Sequence, residues 1–250
     1  SANCAGPMTV LNTIVAKQLK EFKQDVDLLI ESKNLKKDEA VFNVLRECIK
    51  ASKKIRFDGD GYGEAWEKEA KKRGLSNNKT TPSALKVMSS KKVIDLYEEM
   101  NVMSKIEVEA RYEIKLEEYT KRLQIESRVL GDISRNHVVP TAIIYQNTLL
   151  ENTKNLKEIF GGDYKSIAKE QIELIMTISK HITEINAKVI QMEAARSNAN
   201  KQVGLKSAEQ YCSNVKPFFE QIRYHCDKLE TMVDDNLWPL TKYRELLFTK

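Results

Sequence analysis

The sequence predicts an all-α fold: an antiparallel helical bundle with long heptad-patterned helices and a short loop–helix insertion. Three observations carry that expectation. Apolar residues recur in steps of three and four over long stretches, the spacing of one face of a helix. No stretch sustains the period-two alternation of a half-buried strand. The periodic stretches are joined by short polar or glycine-containing breaks, and short connections make neighbouring helices antiparallel. The 250 residues, 31% of them charged and with only nine glycines and five prolines, suit long helices and suffice for a sizeable core.

From Thr9 to about Lys33, the residues Leu11, Val15, Leu19, Phe22, Val26 and Leu29 mark one helical face. A polar break at Asn34–Lys37 leads to a second helix, Asp38 to about Ile55, on which Val41, Leu45 and Cys48 fall together. The stretch Arg56–Leu85 is the one place where the chain is not simply helical. Gly59, Gly61 and Gly63 allow a sharp turn at Asp58–Gly63. Tyr62 and Trp66, four apart, would share a face of the helix that starts there. Lys71-Lys72-Arg73 complement a helix C-terminus, and Gly74 is the residue expected just past it. Thr81 then reads as an N-cap, with Pro82 opening another short helix. A further short helix runs from Ser90 to about Met100 and contains Val93, Ile94, Leu96 and Tyr97.

Ser104 and Glu107 fit a capping box, in which each side chain satisfies a free backbone N–H of the other. The long helix that follows carries a seam of Tyr112, Leu116, Tyr119, Leu123, Glu126, Leu130, Ile133 and His137. Pro140 lacks a backbone donor and predicts a kink or break, after which the helix resumes to about Phe160. Gly161-Gly162-Asp163 is a tight reversal with its own N-cap. Ile175, Ile178, Ile182, Ile185, Val189 and Met192 form a second seam, which ends at the polar segment Asn198–Gly204. Ser207–Gln210 reads as a second capping box. Ala208, Cys212, Val215, Phe219, Ile222, Cys226, Leu229 and Val233 make a third seam, bent at Pro217. Asp234-Asp235-Asn236 ends it, and Trp238–Phe248 is a short closing helix. Three divisions follow: 1–55, two helices; 56–102, the loop and short-helix element; 103–250, the long-helix bundle.

Composition narrows the function classes. The net charge of +5 comes from 41 basic and 36 acidic residues that are interspersed, so there is no clustered nucleic-acid footprint. No run of 18 apolar residues and no signal peptide occur, so no membrane partner is expected. Cys4, Cys48, Cys212 and Cys226 make neither C-x-x-C nor zinc spacing and read as reduced thiols of a cytoplasmic protein.

Several residue patterns invite chemical readings. Asp58, Asp60, Tyr62, Gly63 and Glu69 nearly satisfy a calcium-loop pattern, with carboxylates at positions one, three and twelve. Tyr62 supplies no carboxylate at position five, however, and a structural turn is the expected reading. Glu126 and His137 are the polar members of an apolar seam, where a buried pair could do acid–base work or be satisfied structurally. His181 and His225 lie on different helices with no Ser, Cys or Asp constellation in view. His225 and Cys226, adjacent on a helix, point about 100° apart and form no dyad. The basic groups Lys36-Lys37, Lys53-Lys54, Lys71-Lys72-Arg73 and Lys91-Lys92 stand at helix ends, where those in last turns complement the dipole. No phosphate-cradling glycine loop and no nucleophile elbow are present.

The central stretch also carries a family likeness. Gly59-Asp60-Gly61-Tyr62, Trp66, Glu69-Ala70, Lys72-Arg73-Gly74-Leu75, Asn77 and Thr80-Thr81-Pro82-Ser83-Ala84-Leu85 resemble the C-terminal region of type III glutamine synthetases. The chain departs from that pattern at Asp58, Gly63 and Ser76, all in turns. Glu109-Ala110-Arg111-Tyr112-Glu113, Glu118-Tyr119, Ile125-Glu126 and Pro140-Thr141-Ala142 fit the same family, as does the upstream segment Ala5–Ala16.

The resemblance implies a parent enzyme that ligates ammonia to glutamate at the expense of ATP, with Mg or Mn. It implies a dodecamer of two hexameric rings. The catalytic groups belong to a β-rich domain upstream of Gly6-Pro7-Met8, so this chain is expected to hold no catalytic, cofactor-binding or metal residues. Its start at Ser1-Ala2-Asn3-Cys4 without an initiator Met reads as a fragment. The helices would brace the catalytic domain or contribute subunit contacts. Ala5–Phe22 should then carry apolar residues on more than one side, leaving the isolated fragment self-associating or mobile over its first ten residues. The alternative is a self-standing helical protein-interaction module. A metal-dependent enzyme in the bundle core would need paired Glu-x-x-His motifs that are missing.

Overall fold

The computed structural model describes Cys4–Phe248. The Ser1–Asn3 lead and the last two residues, Thr249 and Lys250, lie outside the described residues. The helices are α1 (Ala5–Lys33), α2 (Lys37–Ala51), α3 (Glu64–Lys72), α4 (Thr81–Met88), α5 (Lys91–Glu99), α6 (Lys105–Ile133), α7 (Val139–Phe160), α8 (Tyr164–Ile167), α9 (Lys169–Ala199), α10 (Gly204–Gln210), α11 (Pro217–Glu230) and α12 (Tyr243–Leu246). No strand forms among the described residues. The chain divides into two compact units, one up to Lys115 and one from Leu116, with the division inside α6.

In the first unit, Asn34 ends α1 in the left-handed conformation, with φ of 53°, and the chain doubles back into α2. Val26, Ala40 and Val44 are buried between the two helices, with Phe22, Leu29, Val41 and Cys48 partly covered beside them. Leu45, expected inside, points to solvent. The small side chain of Ala40, fully buried, takes the inner position and lets the helices approach. Only the second half of the α1 face is covered as expected. Leu11, Val15 and Leu19 are exposed, whereas Thr13 is buried and Val10 packs with Ile94, Tyr97 and Val108. Lys17 on α1 holds Glu99 at the end of α5 at 2.6 Å. The Ser104–Glu107 capping box forms as expected: Ser104 N–H donates to Glu107 Oε2 at 2.8 Å, and Glu107 N–H to Ser104 Oγ at 3.4 Å.

The second unit is built of three helical rods. The first runs through α6 from Leu116 and on through α7 to Phe160, the second is α9, and the third is α10 with α11. Cross-contacts give their directions. Gln124 meets Asn200, Arg135 meets Glu193 and Gln146 meets Ser179, so the first and second rods are antiparallel. Ser207 meets the Ala199 carbonyl and His225 meets His181, so the second and third are antiparallel as well. Ile178, Ile185, Val189 and Met192 of α9 form the centre, fully buried, with Ile222 and Leu229 from α11. Burial of each such side chain contributes about 1.5–3 kcal/mol, so this contiguous apolar cluster dominates the unit's stability.

Neither bundle proline breaks its rod. Before each one the helix widens into a π turn, at Ser134–Val138 and at Tyr211–Val215. Val139 N–H donates to Ser134 O, and Lys216 N–H to Tyr211 O at 2.9 Å, each reaching back five residues instead of four. A proline ring in a regular α-helix collides with the carbonyl four residues back, which also loses its donor. The five-residue step absorbs both problems just ahead of Pro140 and Pro217.

Other expectations shift for local reasons. Glu126 and His137 are exposed rather than members of the seam, while Ser127, Gly131, Ser134 and Val138 are buried. A 3.6-residue repeat drifts about 20° per heptad, so the inner stripe moves one residue along after Leu123. It then falls on small residues that an apolar pattern does not register. A Cβ on Gly131 would stand 3.5 Å from Val189 Cγ1 and 3.7 Å from Met192, so the rods are close here. Ser207 does not cap. The helix already begins at Gly204, and Ser207 Oγ donates to the last carbonyl of α9, Ala199 O, at 3.3 Å. Asp163 makes no side-chain cap, and α8 and α9 follow a 3₁₀ turn at Gly161–Asp163. The closing helix shrinks to α12, since Pro239 disfavours helical backbone at Trp238, whose buried ring packs on the main core instead.

Candidate functional site

The loop–helix element between Ile55 and Met88 is organised by Arg73, the residue that ends α3. Its Nε–H donates to Glu69 Oε1 at 2.6 Å, one turn back on the same helix. Nη1–H donates to the Arg56 carbonyl oxygen at 2.7 Å and to that of Lys54 at 3.4 Å. The guanidinium carbon lies 5.5 Å from the Phe57 ring centre and 6.0 Å from that of Trp66, within cation–π range of both. The two rings pack with centroids 4.3 Å apart. One side chain thus ties the end of α3 to the segment that leads into the loop. Its hydrogen bond holds the Glu69 carboxyl below the usual carboxylate range.

The turn residues follow from this tether. Asp60 Oδ1 accepts the Tyr62 N–H at 2.9 Å, closing a local Asx turn. A Cβ on Gly59 would sit 2.9 Å from the Phe57 ring, so any larger residue there would force that ring to shift. Gly74 has φ of 76° and serves as the left-handed residue after α3, as the sequence predicts. The cap of α4 is one residue earlier than expected: Thr80 Oγ1, not Thr81, accepts the Ser83 N–H, and Pro82 sits second in the helix. Tyr62 lies before α3 instead of on it, so it shares no helical face with Trp66. Its side chain is wholly exposed at the rim of a recess of about 520 Å³ formed with Trp66, Glu67, Ala70, Leu75 and Asn77.

The calcium-loop reading fails on geometry. Helix α3 begins at Glu64, inside what would be the loop, and Glu69 is committed to Arg73. Among the described residues, no group of three or more His, Cys, Asp or Glu side chains is placed to hold a metal ion. Of the basic groups, Lys71 and Lys72 lie in the last turn of α3 as expected. Lys91 and Lys92 open α5, where the dipole disfavours them, and Lys91 is offset by Asp95 at 2.6 Å.

The structure joins two residues that the sequence left apart. His181 on α9 and His225 on α11 approach with their Nδ1 atoms 2.8 Å apart. The readable signal was position: His181 lies three residues after Ile178 and four before Ile185, on the buried stripe itself. Cys226 is not part of this pair; its Sγ faces Ser134 Oγ at 3.7 Å, and burial pushes its thiol up.

Comparison with known proteins places this architecture. Residues 40–157 match the family model of the glutamine synthetase C-terminal domain, a span that includes the whole Arg73-centred element. A glutamine synthetase of Bacteroides fragilis is 46% identical over 252 residues, covering 100% of this chain and 34% of the relative. A type-3 glutamine synthetase of Dictyostelium discoideum is 30% identical over 249 residues, covering 98% and 33%. A glutamine synthetase of Butyrivibrio fibrisolvens is 28% identical over 212 residues, covering 84% and 30%. The chain spans about a third of the length of the curated relatives it matches. It belongs to the glutamine synthetase family, as a helical C-terminal domain. The relative named as type-3 is in accord with the motifs from Gly59 to Leu85.

Proposed function

We propose that this chain is the structural C-terminal domain of a type-3 glutamine synthetase, acting in assembly and not in catalysis. The parent enzyme ligates ammonia to glutamate with ATP and Mg or Mn, in the cytoplasm, as a dodecamer of two hexameric rings. That reaction calls for carboxylates and imidazoles that hold divalent metal ions. Those groups are held by the part of the parent enzyme outside this chain, and the helices here brace that part or join subunits.

The observation that carries this reading is the outer face of α1. Met8, Leu11, Ile14, Val15 and Leu19 are between 47% and 64% exposed. Five large apolar side chains clustered on one segment exceed the scattered exposure of an ordinary surface and mark a face that a partner covers. The partner is the catalytic part of the parent enzyme. The test is a double substitution, Leu11→Asp with Val15→Asp, in the full-length enzyme, with assembly followed by sedimentation. The expected result is loss of the assembled form, with glutamine synthesis falling alongside it. An enzyme that sediments and works unchanged would overturn the reading.

A further inference from the structure

Across the packing of α9 on α11, the rings of His181 and His225 stand with centroids 5.1 Å apart and planes inclined by 55°. His181 is 9% exposed, and His225 is half-buried. An Nδ1···Nδ1 separation of 2.8 Å is a hydrogen bond in which one Nδ1 carries a proton and the other offers its lone pair. Adding one proton from solvent charges the donor ring at its other nitrogen and leaves this bond in place, now charge-assisted. Adding a second must protonate the accepting Nδ1. Two N–H groups then oppose each other at hydrogen-bond distance, and the contact cannot survive.

The surroundings oppose that charging and also provide an exit. Burial first of all pushes both imidazoles below their ordinary value; His225, Lys180 on α9 and Lys228 on α11 add to it at His181, and Lys188 and Lys180 on α9 at His225. Glu184 on α9 attracts charge on His225. Beside the pair, Glu184, Glu220, Gln221 and Tyr224, together with Lys180 and Lys188, border a recess of about 560 Å³ with His225 on its wall. A doubly charged pair can part by turning the His225 ring into that recess, towards Glu184 and Glu220.

We propose that His181 and His225 form a proton-operated clasp between α9 and α11, closed while one Nδ1 stays unprotonated and opened by the second proton. The folded chain binds fewer protons than the unfolded chain over the interval below the ordinary histidine value of about 6.5. The clasp's contribution is therefore complete above about pH 6.5 and is lost as pH falls through the folded-state midpoints. This rests on the bundle geometry alone and stands apart from the assembly role of α1.

The chain has three histidines, so His137→Gln, at an exposed position, leaves the pair as the only imidazoles. In that variant, nitrogen-15 spectra at pH 8 should show one ring protonated at Nδ1. The two rings should titrate as a linked pair, in two steps, with midpoints below about 6.5. Thermal melts should lose several degrees between pH 7 and pH 5, and adding His225→Gln should flatten that loss. Two rings protonated at Nε2 only, independent titration at ordinary values, or an acid-induced loss that His225→Gln leaves intact would each overturn the clasp. Should the second variant fail to fold, the spectra of the first decide.

Discussion

Arg73 donates to the carbonyl oxygen of Arg56 at 2.7 Å, bridging seventeen residues of chain and closing the loop–helix element into a ring. The same guanidinium covers Phe57 and Trp66 and holds Glu69. The stretch from Arg56 to Leu85 is therefore a set of parts for one small structure: an arginine to close it, two aromatic rings to cover, a glycine at 59 packed on one ring and a glycine at 74 where the backbone is left-handed.

Arg73→Met keeps the side chain's length and removes every one of these donors. Limited proteolysis should then cut within Arg56–Gly63 several times faster, while the second unit's resistance is unchanged. Equal cutting rates in both proteins would show that the ring is closed by something else.

Gly74 isolates a pure backbone effect, because no atom lies within 4 Å of a Cβ built there while φ is 76°. Gly74→Ala should cost about 1–2 kcal/mol of local stability, the penalty of left-handed backbone for a residue with a side chain. Native-state hydrogen exchange of the α3 amides is the measurement, and a stability equal to or above the parent's would contradict it.

At Gly131 the sign reverses. The residue is in helical backbone, and an added Cβ would make ordinary contacts with Val189 and Met192 at 3.5 and 3.7 Å. Gly131→Ala should stabilise the second unit by up to about 1 kcal/mol through helix propensity, whereas Gly131→Leu should destabilise it by overpacking. Denaturant melts of the three proteins give the order directly.

Much of this was legible in the sequence. The second and third seams, the Ser104–Glu107 box and the Gly74 terminator depend on local spacing and appear where spacing puts them. What could not be read depends on partners far along the chain. Glu126 and His137 lost their places to Ser127 and Val138, because the inner stripe drifts one residue along past Leu123 to face α9. Pro140 predicted a kink or break and Pro217 a bend; a π turn ahead of each lets the rod continue, a device that depends on the packing around it. Arg73 and Phe57, sixteen residues apart, carry no periodic signal; His181 does lie on the α9 stripe, but no spacing names His225 as its partner.

Calcium should leave the chain unchanged. Glu69 is engaged by Arg73, and Asp60 by the Tyr62 amide, so two of the three carboxylates that the pattern supplies are already used. A melting temperature that rises with millimolar calcium and falls again with chelator would show that the loop can refold around the ion.

The central claim is that this chain is a structural domain of a glutamine synthetase whose chemistry resides elsewhere in the parent enzyme. Its most direct test is glutamine formation by the purified chain from glutamate, ammonia and ATP with Mg or Mn. The account predicts none above a heat-inactivated control at any chain concentration. Turnover that scales with the amount of chain and survives re-purification would contradict it.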